Sequence, residues 1–149
     1  MLDIPSISAG NSSVIVGVAF AVLPLRDLVK TRQTDLVMRL YSTFGSEEFQ
    51  KALARTANME FKDYKDYVKR YCPSPTGFSE KPEAIALGTV NVFFEGIGVL
   101  LYMKLIDISL SARLFGIYAG YMWEKVKPII EGWRKQFDVP ESMQWFENL

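Results

Sequence analysis

The pattern of apolar and charged positions divides the chain near residue 25. From Ile4 to Leu25 no side chain carries a charge, whereas charged residues recur through most of the chain beyond Leu25. As a helix, residues 7–25 would be about 28 Å long, close to the roughly 30 Å thickness of a bilayer's hydrocarbon core. We therefore predict an amino-terminal membrane anchor in residues 1–25 and a helical cytoplasmic domain in residues 26–149.

The charges on either side of this apolar segment predict its orientation. Arg26, Lys30 and Arg32 follow it directly, while Asp3 precedes it. Because basic residues that flank a span stay on the cytoplasmic side, we expect a single-pass protein of the inner membrane with the bulk of its chain in the cytoplasm. An interfacial or core helix is one alternative. A cleaved signal peptide is another, although the segment lacks the basic residues that normally begin one.

The residues after the apolar segment follow a helical period. Pro24 is expected to end or kink the first helix, and from Leu28 to Phe44 apolar side chains recur at spacings near three and four. Gly45 is predicted to end this helix. Ser46 is predicted to cap a second helix, because its hydroxyl can accept a hydrogen bond from a backbone N–H of the first turn.

A further amphipathic segment carries a stripe of mostly aromatic residues at spacings of three to four: Phe61, Tyr64, Tyr67, Val68 and Tyr71. Charged residues occupy the other face, so we interpret the segment as a core-facing helix rather than a platform on which bases stack. Residues 72–82 contain three prolines and a glycine. They predict a loop that separates the helices into two pairs.

A second apolar stretch, residues 84–103, is free of charge except for Glu95. A carboxylate in the middle of a membrane span costs about 2.5–3.5 kcal/mol on insertion scales. The basic residues that follow would also lie on the wrong side of such a span. We therefore favour a buried central helix over a second span.

The carboxyl-terminal part of the chain predicts one long helix and one short helix. Asp107 or Ser109 can cap the long helix. Residues 138–140 are predicted to start the short helix, in which Trp145 and Phe146 are available to dock. No pair of strands is indicated. The predicted fold class is therefore all-α: a membrane helix followed by a bundle of about four main helices.

The composition excludes several kinds of chemistry. Seventeen basic residues balance seventeen acidic ones, so no nucleic-acid partner is expected. The chain has no histidine and a single cysteine, Cys72, which removes most zinc, haem and iron ligand sets and every histidine-dependent triad. No phosphate-binding loop or dinucleotide fingerprint is present. We expect no catalytic residue, no cofactor and no metal, and a reduced thiol at Cys72.

Glu95 is the candidate buried polar site, because it is the one carboxylate in apolar surroundings. Such a group can act as an acid or base, but we favour a structural role in which it is hydrogen-bonded within the core. If the helices on either side of Asp107 form an antiparallel hairpin, Tyr118 lies level with Glu95 and Arg113 lies farther away. Tyr118 is therefore the first predicted partner and Arg113 the second.

A candidate dimer face lies in the anchor itself. Ser13, Gly17 and Ala21 are four residues apart and so share one face of a helix. Small residues at this spacing let two membrane helices approach closely. The sequence therefore allows a homo-oligomer formed through the anchor.

Three groups of residues resemble a known protein family. They are Val92-Phe93-Phe94-Glu95-Gly96-Ile97-Gly98, then Leu105-Ile106-Asp107, then Trp123-Glu124 with Pro128 and Arg134. They resemble the prokaryotic family called domain of unknown function 4760, and the resemblance extends over most of the chain. It implies a small, helical, often membrane-anchored protein, and it supplies no catalytic residues to carry over.

The sequence supports three functional interpretations. We favour a non-enzymatic interaction or accessory protein on the inner face of a membrane, with a protein partner that the sequence does not identify. The second is a soluble helical homo-oligomer in which the apolar amino terminus packs between subunits. The third is a small enzyme centred on Glu95.

Overall fold

The computed structural model describes residues 8–72 and 79–149, with residues 8–23 as backbone alone. In these ranges the chain is all-α and has no strand, as predicted. The helices are α1 (Ser8–Phe44), α2 (Glu47–Ala57), α3 (Tyr64–Tyr71), α4 (Pro82–Tyr102), α5 (Ile108–Phe137) and α6 (Gln144–Glu147). Of the predicted loop 72–82, residues 73–78 lie outside the described residues.

Helix α1 is much longer than predicted. It has 37 residues and contains Pro24 in its interior, so of the two predicted effects of Pro24, an end or a kink, the end is wrong. A proline removes only one intrahelical hydrogen bond, and the turns on either side of it remain helical. The predicted domain boundary at residue 25 falls inside this helix.

Residues 24–32 of α1 lie outside the bundle, and the part from Gln33 onward belongs to it. Every side chain from Pro24 to Arg32 is exposed. Packing begins at Gln33, and Val37 and Phe44 are buried. The predicted end and cap are confirmed: α1 ends before Gly45, and the Ser46 hydroxyl accepts a hydrogen bond from the Phe49 N–H at 3.2 Å.

Helix α3 turns its aromatic stripe toward the core. Tyr67 is buried, and its ring lies 6.0 Å from that of Phe61 and 5.9 Å from that of Tyr71. Gly132 of α5 gives α3 room, because a Cβ atom there would lie 2.5 Å from the Cβ atom of Tyr64. The interpretation of this stripe as a core-facing helix is therefore confirmed.

Helix α4 is the centre of the bundle. Val90, Phe94 and Ile97 are fully buried, and α4 packs most closely against α2 and α6. Among the residues whose side chains are described, 24–72 and 79–149, α4 is the one helix long and apolar enough to cross a membrane, although 39% of its most apolar part is buried inside the protein. Its contacts with α2 and α6 favour the predicted role of a central core helix.

Two contacts show that α1 and α4 run in opposite directions. The side-chain amide of Gln33 donates to the carbonyl oxygen of Lys104 at 3.0 Å. Eleven residues farther along α1, the ring of Phe44 lies 5.9 Å from that of Phe93, eleven residues back along the chain from Lys104. The turn between α4 and α5 therefore lies beside Gln33, at the end of the bundle where α1 leaves it.

The start of α5 agrees with the prediction, and the start of α6 does not. Asp107 caps α5 and accepts a hydrogen bond from the Leu110 N–H at 2.7 Å. Asp138, predicted to start the terminal helix, instead has a left-handed backbone, with φ of 53°, and ends α5. The last helix begins only at Gln144. The predicted docking of its aromatic pair is confirmed, because Phe146 is 1% exposed and the Trp145 ring lies 4.1 Å from that of Tyr102.

Candidate functional site

Glu95 is half-buried on α4, and it bonds to the start of α6. Its Oε2 atom accepts a hydrogen bond from the backbone N–H of Phe146 at 2.7 Å. Phe146 is the third residue of α6, and Met143 at the cap position offers no side-chain hydrogen bond. A first-turn N–H normally bonds to the side chain of its own cap residue. Here Glu95 supplies that acceptor from another helix.

The predicted partners of Glu95 are therefore corrected. Tyr118 is 48% exposed, and its ring packs against that of Phe44 with 5.0 Å between the ring centres. Arg113 is exposed on α5. The prediction assumed a closely packed α4–α5 hairpin, but α4 packs far more closely against α6 than against α5. The terminal helix takes the place that the prediction gave to Tyr118.

Further contacts hold α6 and the turn before it against α4 and α5. Arg134 of α5 donates from Nε to the Ser142 carbonyl oxygen at 2.8 Å, and its Nη2 atom lies 2.8 Å from Glu147 Oε2. The Phe146 ring stacks on Phe94 with 5.0 Å between their centres. These contacts combine a hydrophobic face with an ion pair and one charge-assisted hydrogen bond, a type that is stronger than a neutral one.

Gly98 allows the backbone of α6 to approach α4 closely. A Cβ atom at this position would lie 2.6 Å from the carbonyl carbon of Trp145, which is too close for any side chain. Gly96, one half-turn earlier, has nothing within 4 Å of a Cβ atom built on it. Of the two glycines, only Gly98 is required for the contact with α6.

A groove of about 380 Å³ lies between α4 and α5, beside the turn that precedes α6. Its walls are mainly apolar and include Ile85, Val92, Ile129 and Met143. Asn91 also lines it and is 8% exposed, and its Oδ1 atom has no hydrogen-bond partner among the described residues. The sequence prediction missed Asn91, although an amide between Val90 and Val92 in an apolar stretch is the signal that marks it.

The apolar walls and the Asn91 amide of the groove are suited to binding, but no described side chain that lines it is an acid or base that titrates near neutral pH. Its one phenol is Tyr67, whose pKa is raised by burial first and then by neighbouring Cys72 and Tyr64. Burial likewise raises the pKa of the Cys72 thiol, so this cysteine stays protonated at neutral pH and reacts slowly. Among the described residues, no three acidic or cysteine side chains are grouped so that they could hold a metal ion.

The chain is a small all-α protein with an apolar groove. The contacts made by Glu95 and Gly98 hold its helices together. The model of the family described as domain of unknown function (DUF4760) matches residues 12–149. The chain therefore belongs to this family, as the sequence resemblance indicated. Neither a curated protein nor a solved structure matches the chain.

Proposed function

We propose that this protein is a membrane-anchored helical accessory protein without catalytic activity. Its amino-terminal helix crosses the inner membrane once, and its bundle lies in the cytoplasm and binds a protein partner. One observation carries the proposal: α1 is a single helix that joins the charge-free run to the bundle, and its side chains from Pro24 to Arg32 are all exposed.

The exposed part of α1 favours an anchor because it separates the charge-free run from the bundle core. Leu25, Leu28 and Val29 are each about half exposed or more, at 61%, 49% and 53%. A helix whose apolar side chains face water is unfavourable unless lipid or protein covers it. The basic residues Arg26, Lys30 and Arg32 follow the run directly and suit a cytoplasmic membrane surface.

The role of Glu95 supports a non-enzymatic function. Its Oε2 atom is bonded to the Phe146 N–H, so this carboxylate is used to cap a helix. An enzyme centred on Glu95 would need that carboxylate available to a substrate.

Washing of isolated membranes tests the anchor. The full chain should stay in the pellet after high-salt and carbonate washes and should be released by detergent. Adding a charge within the run, in the double variant Val16→Lys/Ala19→Lys, should move the protein to the soluble fraction, since each lysine costs about 2.5–3.5 kcal/mol near a span's centre. Leu28→Lys/Val29→Lys adds the same two charges beyond the run and is the matched control, which should remain in the pellet.

Release of the parent chain by carbonate would contradict the proposal. Light scattering of the released protein would then distinguish a monomer from the soluble homo-oligomer in which the apolar amino terminus packs between subunits. If the full chain stays in the pellet after the washes, crosslinking in intact membranes followed by purification identifies the protein partner.

A further inference from the structure

The turn that joins α4 to α5 exposes a cluster of large apolar side chains. We call residues 102–108 the α4–α5 tip. Its exposed members are Tyr102 at 67%, Met103 at 59%, Leu105 at 45% and Ile108 at 69%. Four such residues within seven positions are more than a scattering of single apolar side chains, which needs no explanation. The cluster therefore indicates a surface that something apolar covers.

The tip lies at the end of the bundle from which α1 leaves. The hydrogen bond between Gln33 and Lys104 places the tip beside the first residue of α1 that packs against the bundle. Leu25, the last residue of the charge-free run, precedes Gln33 by eight positions, which corresponds to about 12 Å along a helix. With Leu25 at the edge of the hydrocarbon core, the tip lies about 12 Å from that edge. The headgroup layer on each side of a bilayer is about 5–8 Å thick, so tip side chains that extend about 6 Å toward the membrane reach this layer.

The chemistry of the tip suits the bilayer interface. Tyr102 has one ring face against Trp145, with 4.1 Å between the ring centres, and is otherwise exposed. Tyrosine is enriched where membrane meets water, because its ring is apolar and its hydroxyl is polar. Met103, Leu105 and Ile108 supply apolar area beside it.

The backbone of the tip places a lysine where helices usually have glycine. Lys104 has a φ of 57°. The Leu105 N–H bonds to the Leu100 carbonyl oxygen and the Lys104 N–H to that of Leu101, both at 2.9 Å, which is the Schellman pattern of a helix end. Glycine is favoured at this position because a left-handed backbone is energetically unfavourable for residues that have a Cβ atom. The lysine therefore keeps a positive charge at the tip at the expense of stability.

The charges around the tip are mixed, with an excess of basic residues. The basic side chains are Arg26, Lys30, Arg32 and Lys104, and the acidic ones are Asp27, Asp35 and Asp107. The Asp107 carboxylate is bonded to the Leu110 N–H. Lysine and arginine near a membrane surface are each attracted to anionic lipid by about 1 kcal/mol, and acidic residues are repelled by it. The small excess of basic residues therefore gives a weak attraction that adds to the burial of the apolar cluster.

We propose that the α4–α5 tip docks onto the anionic lipid surface of the membrane that holds α1, so that the bundle has a second contact with the bilayer. This inference rests on the proposed anchor. The anchor fixes the tip close to the surface, and the apolar cluster and Lys104 then enter the headgroup layer.

A fluorescent label at three positions of the full chain tests the docking. An environment-sensitive fluorophore is attached to a cysteine in Leu25→Cys, Met103→Cys or Lys135→Cys, and each protein is reconstituted in vesicles with nitroxide-labelled quencher lipid and about 30 mol% anionic lipid. Cys72 is 4% exposed, and parallel labelling of the parent chain corrects for it. Position 135 is the control, since 27 helical residues, about 40 Å, separate it from Ile108.

Docking predicts strong quenching at positions 25 and 103 and little at position 135. Quenching at position 103 should exceed that at position 135 by at least about threefold and should fall when anionic lipid is omitted. Adding Lys104→Glu should reduce quenching at position 103, whereas Lys127→Glu, which makes the same charge change far from the tip, should not. An Ile108→Cys label should reproduce the result if the label at Met103 disturbs the turn.

The outcomes separate the two proposals. Quenching at position 25 without quenching at positions 103 and 108 would overturn the docking and leave the anchor in place. Absence of quenching at all four positions would overturn both. Quenching at position 103 that is unchanged by Lys104→Glu and by lipid charge would overturn the role given to anionic lipid.

Discussion

Glu95 satisfies a backbone group that the first turn of α6 leaves without a partner. Replacing Glu95 with Ala removes the acceptor 2.7 Å from the Phe146 N–H and leaves that buried donor unpaired. We expect Glu95→Ala to lower the free energy of unfolding by about 1–3 kcal/mol, the cost of an unsatisfied buried group. Urea unfolding measured by circular dichroism gives the value.

Two further variants separate the hydrogen bond from the charge. Glu95→Gln keeps an oxygen acceptor, so it should cost less than half of the loss seen with alanine. Glu124→Ala removes an exposed glutamate from α5 and should change stability by less than about 0.5 kcal/mol. Equal losses for the alanine and glutamine variants at position 95 would show that the cap is not what Glu95 contributes.

At the scale of single residues, the sequence predicted that Glu95 makes a buried polar contact, but it did not predict which atom Glu95 contacts. A lone carboxylate among apolar residues signals a buried polar contact, and that part of the prediction holds for Glu95. Its partner is a backbone N–H, which every residue except proline carries. Residue type therefore contains no signal for it, and a prediction based on side chains chose Tyr118.

Helix α6 is too short to be stable alone, so its existence depends on its contacts with α4 and α5. Gly98→Ala places a Cβ atom against the Trp145 backbone. We expect it to destabilise the protein by about 1–3 kcal/mol, because neither helix backbone can shift without losing other contacts. Gly96→Ala is the matched control. It meets open space and should raise stability by up to about 1 kcal/mol, since alanine favours a helix over glycine.

Thermal unfolding of both glycine variants beside the parent checks this pair. Hydrogen exchange at the Phe146 amide shows whether Gly98→Ala acts by releasing α6. If the two variants shift the melting temperature in the same direction, close packing at Gly98 is not important.

Among the elements, those with local stop and start signals could be predicted from the sequence. Ser46 and Asp107 cap their helices through their own side chains, so neighbouring residues carry the information. The effects of Pro24 and of the residues around Asp138 could not be predicted from neighbouring residues. A proline's effect depends on the turns that flank it, and the start of α6 is set by Glu95, 51 residues away from Phe146.

For the whole molecule, the sequence predicts self-association through the anchor. Ser13, Gly17 and Ala21 lie in the part of α1 whose side chains are not described, so this remains a prediction from spacing alone. Gly17→Ile should block a close helix approach while keeping the run apolar. We expect the yield of crosslinked dimer in membranes to fall severalfold.

Val18→Ile is the control for this variant, because position 18 lies about 100° around the helix from Gly17. It should leave the dimer yield unchanged. An unchanged yield for Gly17→Ile as well would mean that another surface holds the dimer, or that none exists.

The continuity of α1 has a mechanical consequence. Because one helix extends from Ser8 to Phe44 without interruption, tilting or turning its outer part also moves Phe44 and the aromatic residues packed around it. A flexible linker would absorb such motion. Inserting a single residue between Arg26 and Arg32 would turn the bundle by about 100° relative to the outer part and move it about 1.5 Å along the axis. With α1 in the proposed role of anchor, the length of this segment determines which side of the bundle faces a neighbour in the same membrane.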